Sequence, residues 1–125
     1  MYIYYNPNPD YLLTNDCTVR AVSKVLDMSW QEVYVGICVE GGFMHMMPST
    51  NAVWNSYLEK FGFKRYPISN TCPNCYTIRD FCKDNPYGKY LVATDEHVVA
   101  VVDGNYYDTG DCGYETVIYY WKENK

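Results

Sequence analysis

The chain lacks any run of about 18 uninterrupted apolar residues, too little for a helix to span a membrane. It has no basic excess either. Ten Lys and Arg stand against fifteen Asp and Glu, a net charge of −5, so no cationic stripe for nucleic acid is expected. No glycine-rich phosphate loop follows a candidate strand, which leaves nucleotide binding without local support. Internal repeats, linkers and low-complexity segments are missing, and 125 residues suit one domain spanning 1–125. The start, MYIYYNPNPD, has neither a basic segment nor an apolar run, so no signal peptide and a cytoplasmic location are expected. Histidine is scarce: His45 and His97 are the two choices for any imidazole chemistry.

What is abundant is cysteine and tyrosine. Six cysteines without an export signal favour free thiols that are buried, catalytic or metal-bound. Fifteen tyrosines fit a small domain whose thin core keeps hydroxyls near water. Hydrophobic residues at 48% and charged residues at 20% are an ordinary globular balance.

The first half reads as helical. Val19, Val22 and Leu26 recur at helical spacing in CTVRAVSKVLDM, with Thr14 or Asp16 as cap. Ser29 and Glu32 form a capping box for a second helix, expected to run to about Cys38 and end at Gly41-Gly42. A third helix is expected over 51–61. The loop before it, FMHMMPST, folds its methionines onto the core or rims a cleft. Thr77 caps a short fourth helix, IRDFCKDN, which Asn85-Pro86 stops. Strands dominate the second half: KYLVAT, HVVAVVD, NYYDT and VIYYW. The expected fold class is therefore α+β, with N-terminal helices packed on a C-terminal antiparallel sheet.

Cys17 stands where the first helix begins. A thiol there feels the positive end of the helix, which favours thiolate, and free N–H groups point to where an oxyanion would form. Asp103-Gly104 is a two-residue hairpin signal, and it fixes a register. Val102 then faces Asn105, Val99 faces Asp108, and His97 lies diagonal to Asp108. His97, Val99, Val101, Tyr106 and Asp108 share one face, with diagonal neighbours roughly 7–8 Å apart. An acid there can orient the imidazole and stabilise imidazolium, and the imidazole can take a proton from a thiol that the helix brings against the sheet. Asp95-Glu96, flanking His97, either raises its pKa or forms a solvated turn. His97 and Asp108 alone make a poor metal site, because the sequence shows no third ligand for them.

Cys72 and Cys75 form C-P-N-C. That spacing can grip zinc, with Cys82 and Cys112, or His45, completing the set; it can form a reducible disulfide; or it can be a buried turn.

The chain resembles the papain-like cysteine peptidase superfamily. The order Cys17, His97, Asp108 matches that superfamily's nucleophile, base and orienting residue. Asp16-Cys17 at a helix start resembles bacteriocin-processing peptidase domains and small cell-wall peptidases. Through YYNPNP, NDCTVRAVSK, CPNCYT and HVVAVVDGNYYDTGD the chain is also similar to small proteins of Firmicute phages and prophages. The resemblance implies a papain-like fold and names no substrate. It implies an oxyanion donor shortly before the nucleophile, commonly Gln; the residue six positions before Cys17 is Tyr11, which has no amide. Asn8 is the candidate in its place, with Asn6 and Asn15 as alternatives.

The expected function is a cysteine-dependent hydrolase, a peptidase or amidase, using Cys17, His97 and Asp108 and a thioester intermediate. It needs no cofactor and acts on a peptide or protein, including a host protein, with no nucleic-acid or membrane partner. The competing readings are a catalytically silent phage-type protein that sequesters a host factor or metabolite, and a zinc-stabilised interaction module around Cys72 and Cys75.

Overall fold

Ala21, Val22 and Val25 fall on one face of a helix by their three- and four-residue spacing. In the computed structural model, which describes residues 1–68, 75–95 and 97–123, that helix is α1, Cys17–Leu26. Helix α2 covers Trp30–Met44 and α3 covers Asn51–Glu59. The short α4 spans Ile78–Asp84. The capping boxes expected at Ser29 and Thr77 are both formed, each side chain accepting from the backbone N–H three residues on. Asp16 occupies the cap position of α1, but its carboxylate makes no cap bond.

The second helix outruns its expected end. Gly41 lies inside α2, where a Cβ would stand 2.7 Å from the Met46 carbonyl oxygen. The glycine permits that close approach and does not stop the helix. The stop comes at His45, whose left-handed backbone (φ 57°) returns its N–H toward the Gly41 and Gly42 carbonyls.

Six strands form one sheet among the described residues: β1 Tyr2–Tyr4, β2 Phe63–Pro67, β3 Lys89–Ala93, β4 Val98–Val102, β5 Asn105–Asp108 and β6 Tyr119–Glu123. Their order is β1-β5-β4-β3-β6-β2. The sheet is mixed, which corrects the antiparallel expectation: β1 runs parallel to β5, and every other pairing is antiparallel. Neither edge strand was readable from the pattern. Three residues are too few to show alternation, and FKRYP ends in a proline, tolerated because β2 is an edge. The β4–β5 register is the expected one: Val102 pairs with Asn105 and Val101 with Tyr106. Asp103 (φ 51°) and Gly104 (φ 78°) both take positive φ, as a type I′ turn requires.

Alternation along β3 and β4 divides the core. Leu91, Ala93, Val98 and Ala100 face α1, α2 and α3, together with Trp54 and Trp121, whose rings lie 4.7 Å apart. Val92, Val99, Val101 and Tyr106 face Ile78 and Phe81 of α4 on the other side. The result is a three-layer α/β/α arrangement. Among the described residues, no helix is long and apolar enough to cross a membrane. Leu91 is fully buried on the central β3. Leu91→Ala is expected to cost about 2–5 kcal/mol in urea denaturation. A loss below about 1 kcal/mol would show that this face is not close-packed.

Candidate active site

Side chains from α1, the start of β4 and the end of β5 meet at one end of the sheet. Cys17 opens α1 and is half-buried, and His97 immediately precedes β4. Asp108 is the last residue of β5 and is buried. Helix α1 packs on the face of β4 that carries Val98 and Ala100, opposite the face of Val99 and Val101. The groups converge at the strand ends, where the start of α1 passes the rim of the sheet.

His97 Nε2 contacts Asp108 Oδ2 directly. The Cys17 sulfur lies near the His97 ring and the Val98 backbone, both of which favour its thiolate. The first helical N–H to find a carbonyl is that of Arg20, which donates to Asp16 O at 2.9 Å. The N–H groups of Cys17, Thr18 and Val19 therefore precede the helix's own ladder.

Electrostatics favour an ion pair. Burial pushes the Cys17 thiol up, but the His97 hydrogen bond, the Val98 backbone and the charges of His97 and Arg20 together bring it below its ordinary 9.0. The bond to Asp108, followed by those to Cys112 and Cys17, pushes His97 up to about 12. Burial also raises Asp108, yet its bond to His97, the charge of His97, the Thr109 N–H and Arg20 outweigh that and hold it low. A thiolate beside an imidazolium is a competent nucleophile with a proton donor at hand. Of the pair expected to act on His97, Glu96 lies outside the described residues, and Asp95 lines two cavities beside His97 without being among the groups that raise it.

Two contributors were not foreseen. The first is Arg20, buried on α1. Its Nη1 donates to Asp16 Oδ1 at 2.6 Å and its Nη2 to Asp108 Oδ1 at 2.7 Å. Asp16 Oδ2 in turn accepts from Trp30 Nε1 at 2.8 Å. The signal was present in the four-residue spacing of Asp16 and Arg20, with Arg20 one turn beyond Cys17. The second is Cys112, buried, whose Sγ lies 3.3 Å from Asp108 Oδ2. Burial raises this thiol, as does the charge of Asp108, so it differs in character from Cys17. Among the described residues, His97, Asp108 and Cys112 bring one ligand atom each within 4.8 Å of one another.

Other candidates fall elsewhere. Asn8 is buried, but its Oδ1 closes a turn by accepting from the N–H of Asp10 (2.9 Å) and Leu12 (3.4 Å). It lines neither of two cavities at Cys17, whereas Asn15 lines one of them. Its position thus gives no support to the expected role as oxyanion donor. Asn6 accepts from the Asn8 N–H and also serves the turn. His45 caps α2. Cys75 is disulfide-bonded, so its sulfur offers no thiolate to zinc, and Cys72 lies outside the described residues. Cys82 is a free buried thiol, raised to about 11 by burial, and it sits on the inner face of α4 with Ile78 and Phe81.

Comparison with known proteins returns no match: no family model, no curated protein and no solved structure.

Removing Arg20 leaves two buried carboxylates without their shared cation. Arg20→Leu is expected to cost about 3–5 kcal/mol in chemical denaturation at neutral pH. Part of the loss returns as acid protonates the orphaned carboxylates. A cost below about 1 kcal/mol, the range of exposed pairs, would show that Arg20 does not hold the site.

Proposed function

We propose that the protein is a cysteine-dependent hydrolase of amide bonds, a peptidase or amidase, with Cys17 as nucleophile, His97 as acid–base and Asp108 as orienting group. The observation that carries this reading is that Cys17, at the start of α1, lies close enough to His97 for the ring to lower its pKa, while His97 in turn contacts Asp108 directly. The order of Cys17, His97 and Asp108 in the chain, which resembles that of papain-like peptidases, is consistent with it.

The Cys17 thiolate attacks the carbonyl carbon, and the carbonyl electrons move onto oxygen. The N–H groups at the start of α1 stabilise that oxyanion. His97 gives its proton to the amine nitrogen as the C–N bond breaks, leaving a thioester. Water then attacks the thioester, His97 takes its proton, and the carboxylic acid leaves as thiolate is regenerated. Asp108 keeps the ring in one orientation throughout, and Arg20 keeps Asp108 in place. A cavity of about 520 Å³ beside Cys17, with Trp30, Tyr34, Ile37 and Pro48 in its lining, suits an apolar side chain of a peptide or protein substrate.

The pH sense follows from the shifts. The ion pair assembles as pH rises through the lowered value of Cys17 and persists until His97 loses its proton near about 12. The apparent value belongs to the pair. Iodoacetamide should label Cys17 in the native protein with an apparent pKa below about 8.5. His97→Ala should raise that value and slow labelling at pH 7 at least about tenfold, the effect of one pKa unit. A native Cys17 that titrates as an ordinary thiol, or one indifferent to His97, overturns the mechanism.

A second variant separates orientation from proton transfer. Asp108→Asn keeps the ring but removes the largest influence holding its proton. Its labelling pKa should fall between those of native protein and His97→Ala, read from the same peptide map. A value indistinguishable from native would remove Asp108 from the mechanism.

A further inference from the structure

The mechanism above uses one side of His97. On the other side lies a cavity of about 540 Å³ whose lining includes Asp95, His97, Asp108, Asp111, Cys112 and Glu115. Acidic lining alone attracts cations without binding one tightly, and Asp111 is already engaged by Arg79, Tyr106 and the Gly113 N–H. The informative groups are the three that converge. Asp108 Oδ2 meets His97 Nε2 and Cys112 Sγ, and the donor atoms of all three residues lie within 4.8 Å of one another. Donors around a tetrahedral zinc ion, at about 2.0–2.3 Å from the metal, stand roughly 3.4–3.8 Å apart. The Cys112–Asp108 separation of 3.3 Å is already close to that spacing, and the direct His97–Asp108 contact opens to reach it when an ion enters.

The carboxylate is already aimed. Asp108 Oδ1 accepts from Arg20 Nη2 and from the Thr109 N–H, each at 2.7 Å, which leaves Oδ2 to face the imidazole and the thiol. Outer partners of this kind orient metal ligands. One sulfur, one imidazole nitrogen and one carboxylate oxygen suit zinc better than magnesium or calcium, which prefer oxygen alone.

We propose that His97, Asp108 and Cys112 form a reversible zinc-binding site, with a fourth position open to water in the cavity. Zn–S, Zn–N and Zn–O bonds replace three bonds from the ion to water. Cys112 releases its proton to solvent, as does His97 where the ring is protonated, and nothing is oxidised or reduced. The thiol involved is Cys112, not the proposed nucleophile. Occupancy takes the His97 ring out of proton exchange with Cys17. That regulatory consequence rests on the hydrolase reading; the binding itself does not.

The test uses the full chain, stripped with a chelator and kept free of reductant so that the Cys75 disulfide stays closed. Co²⁺ is titrated first and then displaced by Zn²⁺. Native protein should take up about one equivalent with thiolate-to-cobalt charge-transfer absorption in the near ultraviolet. The absorption should persist in Cys17→Ser and vanish in Cys112→Ser, with Zn²⁺ affinity down at least about 100-fold. Should Cys112→Ser fail to fold by circular dichroism, His97→Gln serves in its place, with the same loss of affinity expected. No charge-transfer band in native protein, or a band lost in Cys17→Ser and kept in Cys112→Ser, overturns the proposal. Saturating Zn²⁺ should also slow iodoacetamide labelling of Cys17 in native protein and not in Cys112→Ser. An ordinary Cys17 in metal-free protein, together with cobalt binding through Cys112, would remove the hydrolase and leave the zinc site standing.

Discussion

A single buried guanidinium holds the candidate site together. Arg20 lies between Asp16, at the start of α1, and Asp108, at the end of β5. All three side chains are nearly closed to solvent, so none of their charges is tolerable alone. The ion triad ties the start of α1, which carries Cys17, to the end of β5, whose Asp108 contacts His97. It also divides Asp108 in two, with one oxygen for Arg20 and one for the imidazole. Arg suits this role because its planar fork can serve two carboxylates at once, which a lysine's point charge does less well.

The same economy explains the two unlike cysteines. Cys17 and Cys112 share one histidine, but their surroundings push them in opposite directions. At Cys17, the imidazole, the Val98 backbone and the arginine charge outweigh burial. At Cys112, burial combines with the adjacent carboxylate and keeps the proton on sulfur. One thiol is drawn toward thiolate and the other toward its protonated form.

Much of the arrangement was legible in the chain, and the reasons are local. Cys17 was readable because a helix start follows from the spacing of Val19, Val22 and Leu26. The His97–Asp108 relation was readable because Asp-Gly dictates a two-residue turn and a turn dictates a register. The capping boxes at Ser29 and Thr77 belong to the same class of short-range rule. What escaped depended on long-range packing. Which sheet face receives α1 is decided by the joint burial of Val98, Ala100 and three helices, and no local pattern records it. The parallel seat of β1 beside β5 depends on a partner a hundred residues away. Cys112 could be read only as a possible partner of Cys72 and Cys75, because its neighbours in space, His97 and Asp108, lie on the hairpin before it. Asn8 was overvalued for the converse reason: its amide group is spent on a turn within four residues.

The hairpin that joins β4 to β5 works as a ruler. Its type I′ turn sits at one end, and His97 and Asp108 are read off at the other, six residues before Asp103 and four after Gly104 along their strands. Side chains on a strand switch faces at every step. A single-residue insertion or deletion in either arm would therefore do more than lengthen the ladder; it would turn the imidazole and the carboxylate to opposite sides. Length variation in this segment is consequently quantised: related chains that keep the pair must change the two arms together, or by two residues at a time, while the helical half remains free to drift one residue at a time in its loops.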